Sequence, residues 1–181
     1  MKEFELKTVG EESFDDFYTL LLGSFIPEEL RSRENAIEVL ESPDFILYNI
    51  CVEGRSVGYI SAWRLCGFTF LEHFVMRRGE RGKGYGEKAI RNICALHKKL
   101  ALECEPRDDE IKTRRASFYE RCGFVENPID YVQPSYREGF AEVPLMLMSY
   151  PTALESPKDT VKEIYAKVYK KQNFTRSFTE Q

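Results

Sequence analysis

Between Arg77 and Lys88 five basic residues stand against two glutamates, a local net charge of +3 inside a 181-residue chain whose overall charge is −4. At the centre of that stretch lies Arg81-Gly82-Lys83-Gly84-Tyr85-Gly86. Before it runs an apolar segment, Phe70, Leu71, Phe74, Val75 and Met76, broken only by Glu72 and His73. After it, Gly86, Ala89, Ile90, Ile93, Cys94 and His97 recur at the spacing of one helical face. A strand, a glycine-rich basic turn and a helix together bind anions. The glycines let the backbone come close, and the first N–H groups of the helix have no partner within it. Basic charge gathered at one point of an acidic chain indicates a local phosphate site rather than a generally basic surface. Two phosphate motifs do not fit. A P-loop needs Ser or Thr after Gly-Lys, and Lys83 is followed by Gly84. The dinucleotide fingerprint needs G-x-G-x-x-G after the first strand of a parallel unit, and here the spacing is G-x-G-x-G in mid-chain.

The rest of the composition narrows the class. At 43% hydrophobic and 31% charged residues the chain is ordinary for a folded globular domain. Its 13% aromatic share suggests a core or pocket rich in Phe and Tyr. No apolar run approaches a membrane span, and the opening MKEFELKT alternates as a strand rather than a signal peptide, so no membrane partner and a cytoplasmic location are expected. The five cysteines, Cys51, Cys66, Cys94, Cys104 and Cys122, are scattered and odd in number, which fits reduced thiols better than disulfides or zinc. With His73 and His97 the only histidines, no metal is expected. Net acidity and a single compact basic cluster disfavour nucleic acid as a partner.

The elements that would position this turn follow in order. Phe4, Leu6 and Thr8 alternate in a first strand ending at Gly10. Ser13 reads as a helix N-cap with Asp15 and Asp16 in the first turn. A second helix is expected from Glu28 to Leu40; Glu28 and Glu29 are good capping residues there, with binding of a cationic substrate as the alternative. Residues 45–52 and 56–65 form a hairpin about Glu53-Gly54-Arg55, and the organising strand is then the fourth. Leu100, Leu102 and Cys104 mark a fifth strand. A helix over 112–122 stops at Gly123-Phe124 in the manner of a Schellman motif. Strands are expected over 132–136 and 143–149. Beyond Pro151, Ser156 and Pro157 start a last helix whose narrow stripe of Val161, Ile164, Tyr165 and Val168 needs a partner, either this domain or a second copy in a homodimer. After Lys170 the chain reads as frayed.

Two stretches resemble the GCN5-related N-acetyltransferase (GNAT) superfamily. Arg81-x-x-Gly84-x-Gly86 matches its Arg/Gln-x-x-Gly-x-Gly/Ala signature after the fourth strand. Phe118-Tyr119-Glu120-Arg121-Cys122-Gly123-Phe124 matches the family's Phe-Tyr-x-x-x-Gly-Phe helix end. The run Leu102-Glu103-Cys104-Glu105-Pro106 and Tyr131-Val132-Gln133-Pro134-Ser135-Tyr136 are similar to a bacterial branch of the superfamily. Many members carry an Asn seven residues before the tyrosine; here Lys112 stands there, and that role is not transferred. The resemblance covers residues 1–150. It implies an α/β fold of the α+β kind, a central mixed but mostly antiparallel sheet of six to seven strands flanked by helices, with residues 151–181 as a helical extension.

For function the resemblance implies acetyl-CoA as co-substrate, held by Phe74, Val75, Met76, Arg81, Gly82, Lys83, Gly84, Tyr85 and Gly86, and a small-molecule or protein amine as acceptor, attacked directly in a ternary complex. A silent acyl-CoA-binding protein on the same fold is the alternative. Tyr119 takes the place of the acid beside the cofactor sulfur; a phenol with a pKa of about 10 stays protonated at neutral pH. Glu72 takes the place of the base, with Glu103 its rival. Strand alternation sets Glu72 with Phe70, Phe74 and Met76, away from His73 and Val75, where desolvation would raise its pKa towards the useful range.

Overall fold

The computed structural model describes residues 3–171. Strand β1 (Phe4–Val9) is followed by a 3-10 turn and helix α1 (Phe14–Leu22); Ser13 precedes that helix without a side-chain capping bond. The expected second helix is divided. Pro27–Glu29 forms a 3-10 turn, the chain extends through Leu30, and helix α2 (Arg33–Leu40) restarts where the Ser32 hydroxyl accepts from the Asn35 N–H. Two short pieces replace one helix because Leu30 turns inward to be buried among Phe17, Leu21 and Val75, and this places Arg31 beside the centre of the sheet.

The hairpin β2 (Phe45–Val52) and β3 (Arg55–Leu65) leads into β4 (Phe68–Met76), the glycine-rich turn and α3 (Tyr85–His97). Then come β5 (Leu100–Cys104), α4 (Glu110–Arg121), β6 (Val125–Glu126), β7 (Tyr131–Gln133), β8 (Val143–Tyr150) and α5 (Pro157–Lys167). Helix α4 starts two residues earlier than expected, because Asp109 accepts from the Lys112 N–H and caps it. Its end is as expected. Gly123 adopts φ 97°, its N–H donates to the Glu120 carbonyl and that of Phe124 to the Tyr119 carbonyl, the paired bonds of a Schellman stop.

The sheet has eight strands, in the order β1-β2-β3-β4-β5-β8-β6, with β7 also paired to β8. Among the described residues only β4 and β5 pair in parallel. The strand missed in sequence is β6, two residues too short to show a period. One face of the sheet carries Ile46, Tyr48, Ile60, Ala62, Leu71 and Leu102 against the buried sides of α3 and α4. The other carries Trp63, Phe70, Ala101, Leu145 and Leu147 against α5, and Leu47, Tyr59 and Val75 against α1.

The last helix docks on its own chain. Val161, Ile164, Val168 and Tyr169 are buried against Trp63, Phe70 and Tyr131, and Tyr165 donates to the Val132 carbonyl. Fully burying each such side chain contributes roughly 1.5–3 kcal/mol, and four of them amount to much of an ordinary domain's margin of about 5–15 kcal/mol. Truncation after Pro151 is therefore expected to unfold the domain or to lower its melting temperature by more than about 10 °C, read by thermal denaturation. An unchanged melting temperature would mean that the helix is dispensable. The frayed end expected in sequence lies, from position 172 onward, outside the described residues.

Candidate active site

The site begins at an irregularity in β4. Along its β3 edge, His73 pairs with Ser61 but Leu71 pairs with Ala62, so Glu72 is the extra residue of a β-bulge. The bulge corrects the expected alternation. Glu72 and His73 both point to the face that carries Trp63 and Ser61, to which they are hydrogen bonded. Phe74 and Met76 point to the opposite face, beneath α3 and α4. On its other edge β4 pairs with β5 only at Thr69, Phe70 and Leu71. Beyond the bulge the two parallel strands part, leaving residues 72–76 without a strand partner on that edge.

A cleft of about 720 Å³ passes through this gap. On the α3 side it is lined by Phe74, Met76, Arg81, Gly84, Phe118 and Tyr119, and on the other by Phe25, Glu29, Glu72, His73 and Glu103. Gly82 and Gly84 adopt φ 76° and 80°, and a Cβ built on either would meet nothing within 4 Å. Gly84 is the N-cap of α3 in the left-handed region, so the turn presents backbone to open space at the positive end of a 13-residue helix. Gly86 has a different reason to be glycine: a Cβ there would lie 3.3 Å from the Phe74 ring, so its absence seats the first turn of α3 on β4. Arg81 donates from Nε to the Met76 carbonyl at 3.1 Å and Lys83 pairs with Glu80 at 2.9 Å, which fixes the basic side chains around the turn. Of the residues expected to hold a cofactor, Phe74, Val75, Met76, Arg81, Gly82, Gly84 and Gly86 line the cleft, whereas Lys83 and Tyr85 do not.

Tyr119 projects from α4 into the same side, 8% exposed. Its ring meets Phe118 and Phe124 edge-on at 5.2 and 5.8 Å. Burial, and to a smaller degree the neighbouring Cys104, push its pKa well above that of an ordinary phenol.

The two carboxylates differ sharply. Glu72 has a side chain 2% exposed and ion-paired with Arg31, itself 10% exposed. It also accepts from Tyr136 Oη at 2.8 Å and Trp63 Nε1 at 3.1 Å. Burial works to raise its pKa, but the Arg31 charge, the adjacent His73 and the hydrogen bonds from Arg31 and Tyr136 outweigh it, and the net shift is downward, opposite to the upward shift expected from sequence. Glu103, on β5, is partly open to the cleft. Burial pushes it up to about 7, with further upward contributions from the Glu72 and Glu29 charges, although the phenols of Tyr131 and Tyr169 pull the other way. Glu29 also lines this end of the cleft, and burial raises its pKa. Its partner at the start of the broken helix, Glu28, uses its carbonyl to accept from Gln133 at 3.4 Å.

Sequence reasoning missed Arg31, Tyr169 and the role of Tyr131 and Tyr136 as partners of the two carboxylates. The Tyr-x-Gln-Pro-x-Tyr stretch and the four-residue spacing of Tyr165 and Tyr169 were the available signals.

Residues 43–126 match the family model for the acetyltransferase (GNAT) domain. Among curated proteins no sequence matches. Among solved structures, a GNAT-family protein from Bacteroides thetaiotaomicron superposes with a TM-score of 0.84 at 29% identity, over 91% of this chain and 98% of that one. The ribosomal-protein alanine N-acetyltransferase from Escherichia coli gives 0.63 at 12% identity, over 86% and 98%. The PaiA N-acetyltransferase from Thermoplasma acidophilum, in complex with coenzyme A, gives 0.57 at 13% identity, over 81% and 98%. The last two speak for the fold alone. The parted β4 and β5, the glycine-rich turn at the head of α3, and these matches identify a GNAT acetyltransferase domain in this chain, matched over residues 43–126.

Proposed function

We propose that this protein transfers an acetyl group from acetyl-CoA to a primary amine by direct attack within a ternary complex, with Glu103 accepting the amine proton and Tyr119 supplying a proton to the sulfur. The observation that carries this reading is the placement of a protonated phenol and a carboxylate titrating at about 7 on opposite sides of the gap between β4 and β5. The family uses acetyl-CoA, which supplies an activated thioester. The open backbone at Gly82 and Gly84 suits its pyrophosphate, and the unpaired edge of residues 72–76 suits the amides of an extended pantetheine arm.

The chain's own residues then account for the protons. An amine like that of Lys is almost wholly protonated at pH 7. The acidic end of the cleft, with Glu29 and Glu103, favours such a cation, and Glu103 in its ionised form takes the proton that attack requires. As the N–C bond forms and the C–S bond breaks, negative charge gathers on sulfur, and the Tyr119 hydroxyl donates to it. Its raised pKa keeps the phenol in donor form throughout. Glu72 is assigned a structural part: it neutralises Arg31 and fixes Tyr136 and Trp63 at the bulge.

The test of the cofactor site is Gly84→Asp. The substitution strains a left-handed position and sets a carboxylate against the pyrophosphate. Acetyl-CoA affinity measured by calorimetry is expected to fall by at least roughly tenfold, about 1.4 kcal/mol. Unchanged affinity in a folded variant would remove the site from the turn. Release of CoA with a panel of amines identifies the acceptor.

A further inference from the structure

Glu103 is held by groups that lie far from it in sequence. Tyr131, on β7, donates to its Oε1. Tyr169, just past the end of α5, lies 2.8 and 2.7 Å from its two oxygens and donates to the carboxylate. The same turn of chain reaches the second carboxylate, since the Val168 carbonyl accepts from Arg31 Nη2 at 2.7 Å while Arg31 pairs with Glu72. The Tyr136 ring packs on Tyr169 at a centroid distance of 4.8 Å and under the Arg31 guanidinium at 4.3 Å. A helix end that served only to cover the sheet would need apolar side chains alone, as Val161 and Ile164 provide. Instead this end buries a phenol whose donor is spent on a carboxylate in the wall of the cleft.

We propose that Tyr169, together with Tyr131, is a positioning residue that holds the Glu103 carboxylate at the gap between β4 and β5 and favours its ionised form. The turn after α5 is then part of the active site. Its catalytic consequence rests on the reading of Glu103 as the base. The groups facing Glu103 are Tyr131 from β7, Tyr136 from the following loop, Tyr165 and Tyr169 from α5 and its end, Glu72 with Arg31 from β4 and the segment before α2, and Glu29 from the 3-10 turn. Burial and the two acids push the Glu103 proton on; the two phenols pull it off. Loss of one phenol therefore moves the ionisation to higher pH. A hydrogen bond to a charged group is worth about one to two pKa units.

The experiment pairs Tyr169→Phe with Glu103→Gln. The Glu103 carboxyl is titrated by carbon-13 NMR in glutamate-labelled protein, its signal assigned by its loss in Glu103→Gln, and kcat/KM is measured against pH in the same proteins. In Tyr169→Phe the Glu103 titration is expected to move up by roughly one pH unit, and the acidic limb of kcat/KM with it, at unchanged acetyl-CoA affinity. A Glu103 titration that stays in place overturns the inference, whatever the activity does. A titration that moves while Glu103→Gln keeps the wild-type limb supports Tyr169 as the residue that sets Glu103 and overturns Glu103 as the base. If Tyr169→Phe fails to fold, Tyr131→Phe removes the other donor and is judged by the same titration.

Discussion

Tyr119→Phe is expected to lower turnover by roughly 10²–10⁴ while leaving acetyl-CoA affinity unchanged. The substitution removes one hydroxyl and nothing else of the packing. The ring that meets Phe118 and Phe124 is retained, and the Schellman stop beneath it depends on the Tyr119 carbonyl, not its side chain. Among the described residues no protein group takes up the phenol oxygen, which borders the cleft. The loss therefore falls on whatever the cleft holds. If the proton for sulfur comes from Tyr119, the defect lies in kcat and is smaller for thioesters whose thiol leaves more readily. Calorimetry with acetyl-CoA and steady-state kinetics with two thioesters separate these effects. Full activity in the Phe variant would leave Tyr119 with packing alone.

The cofactor side of this site was legible because it is local. Arg81 to Gly86 lie within six residues, and the glycine positions follow from backbone angles and from one close approach to Phe74. The stop at Gly123-Phe124 is local in the same way. The acceptor side was not legible, for two physical reasons. Strand period is two residues, so one inserted residue reverses every facing beyond it; the bulge at Glu72 does this, and nothing in Phe70–Met76 announces it. The second reason is distance along the chain. Arg31 meets Glu72 across 41 residues and Tyr169 meets Glu103 across 66. A carboxylate on an apolar strand reads as desolvated, and only the folded chain shows that one of the two is neutralised by a guanidinium and the other is not. The broken second helix belongs to the same lesson: the Glu28–Leu40 pattern favours a helix, and burial of Leu30 divides it.

Glu72→Gln and Glu103→Gln are expected to fail in opposite ways. Removing the Glu72 charge leaves the Arg31 guanidinium buried, facing a neutral amide, the Val168 carbonyl and aromatic rings. An uncompensated buried charge costs about 3–5 kcal/mol, which in a domain of this size lowers the melting temperature by roughly 6–20 °C. Glu72 has a folded-state pKa depressed below its unfolded value, so its contribution to stability is present above the unfolded value and is lost as the pH falls through the folded one. The destabilisation by Glu72→Gln is thus full at neutral pH and shrinks in acid. Glu72 is charged throughout the neutral range and adds no limb to the activity profile there. Glu103 titrates at about 7, so a base at this position makes kcat/KM rise through neutral pH. Glu103→Gln is expected to abolish that limb, with the greatest loss just above pH 7 and partial recovery towards the pKa of the amine, where free amine becomes abundant. Its cost to folding is smaller, since a neutral amide still accepts from Tyr131 and Tyr169. Thermal melts at two pH values and a kcat/KM profile on the two variants distinguish the roles. Loss of the neutral limb in a stably folded Glu72→Gln, with Glu103→Gln unaffected, would return the base to the fourth strand.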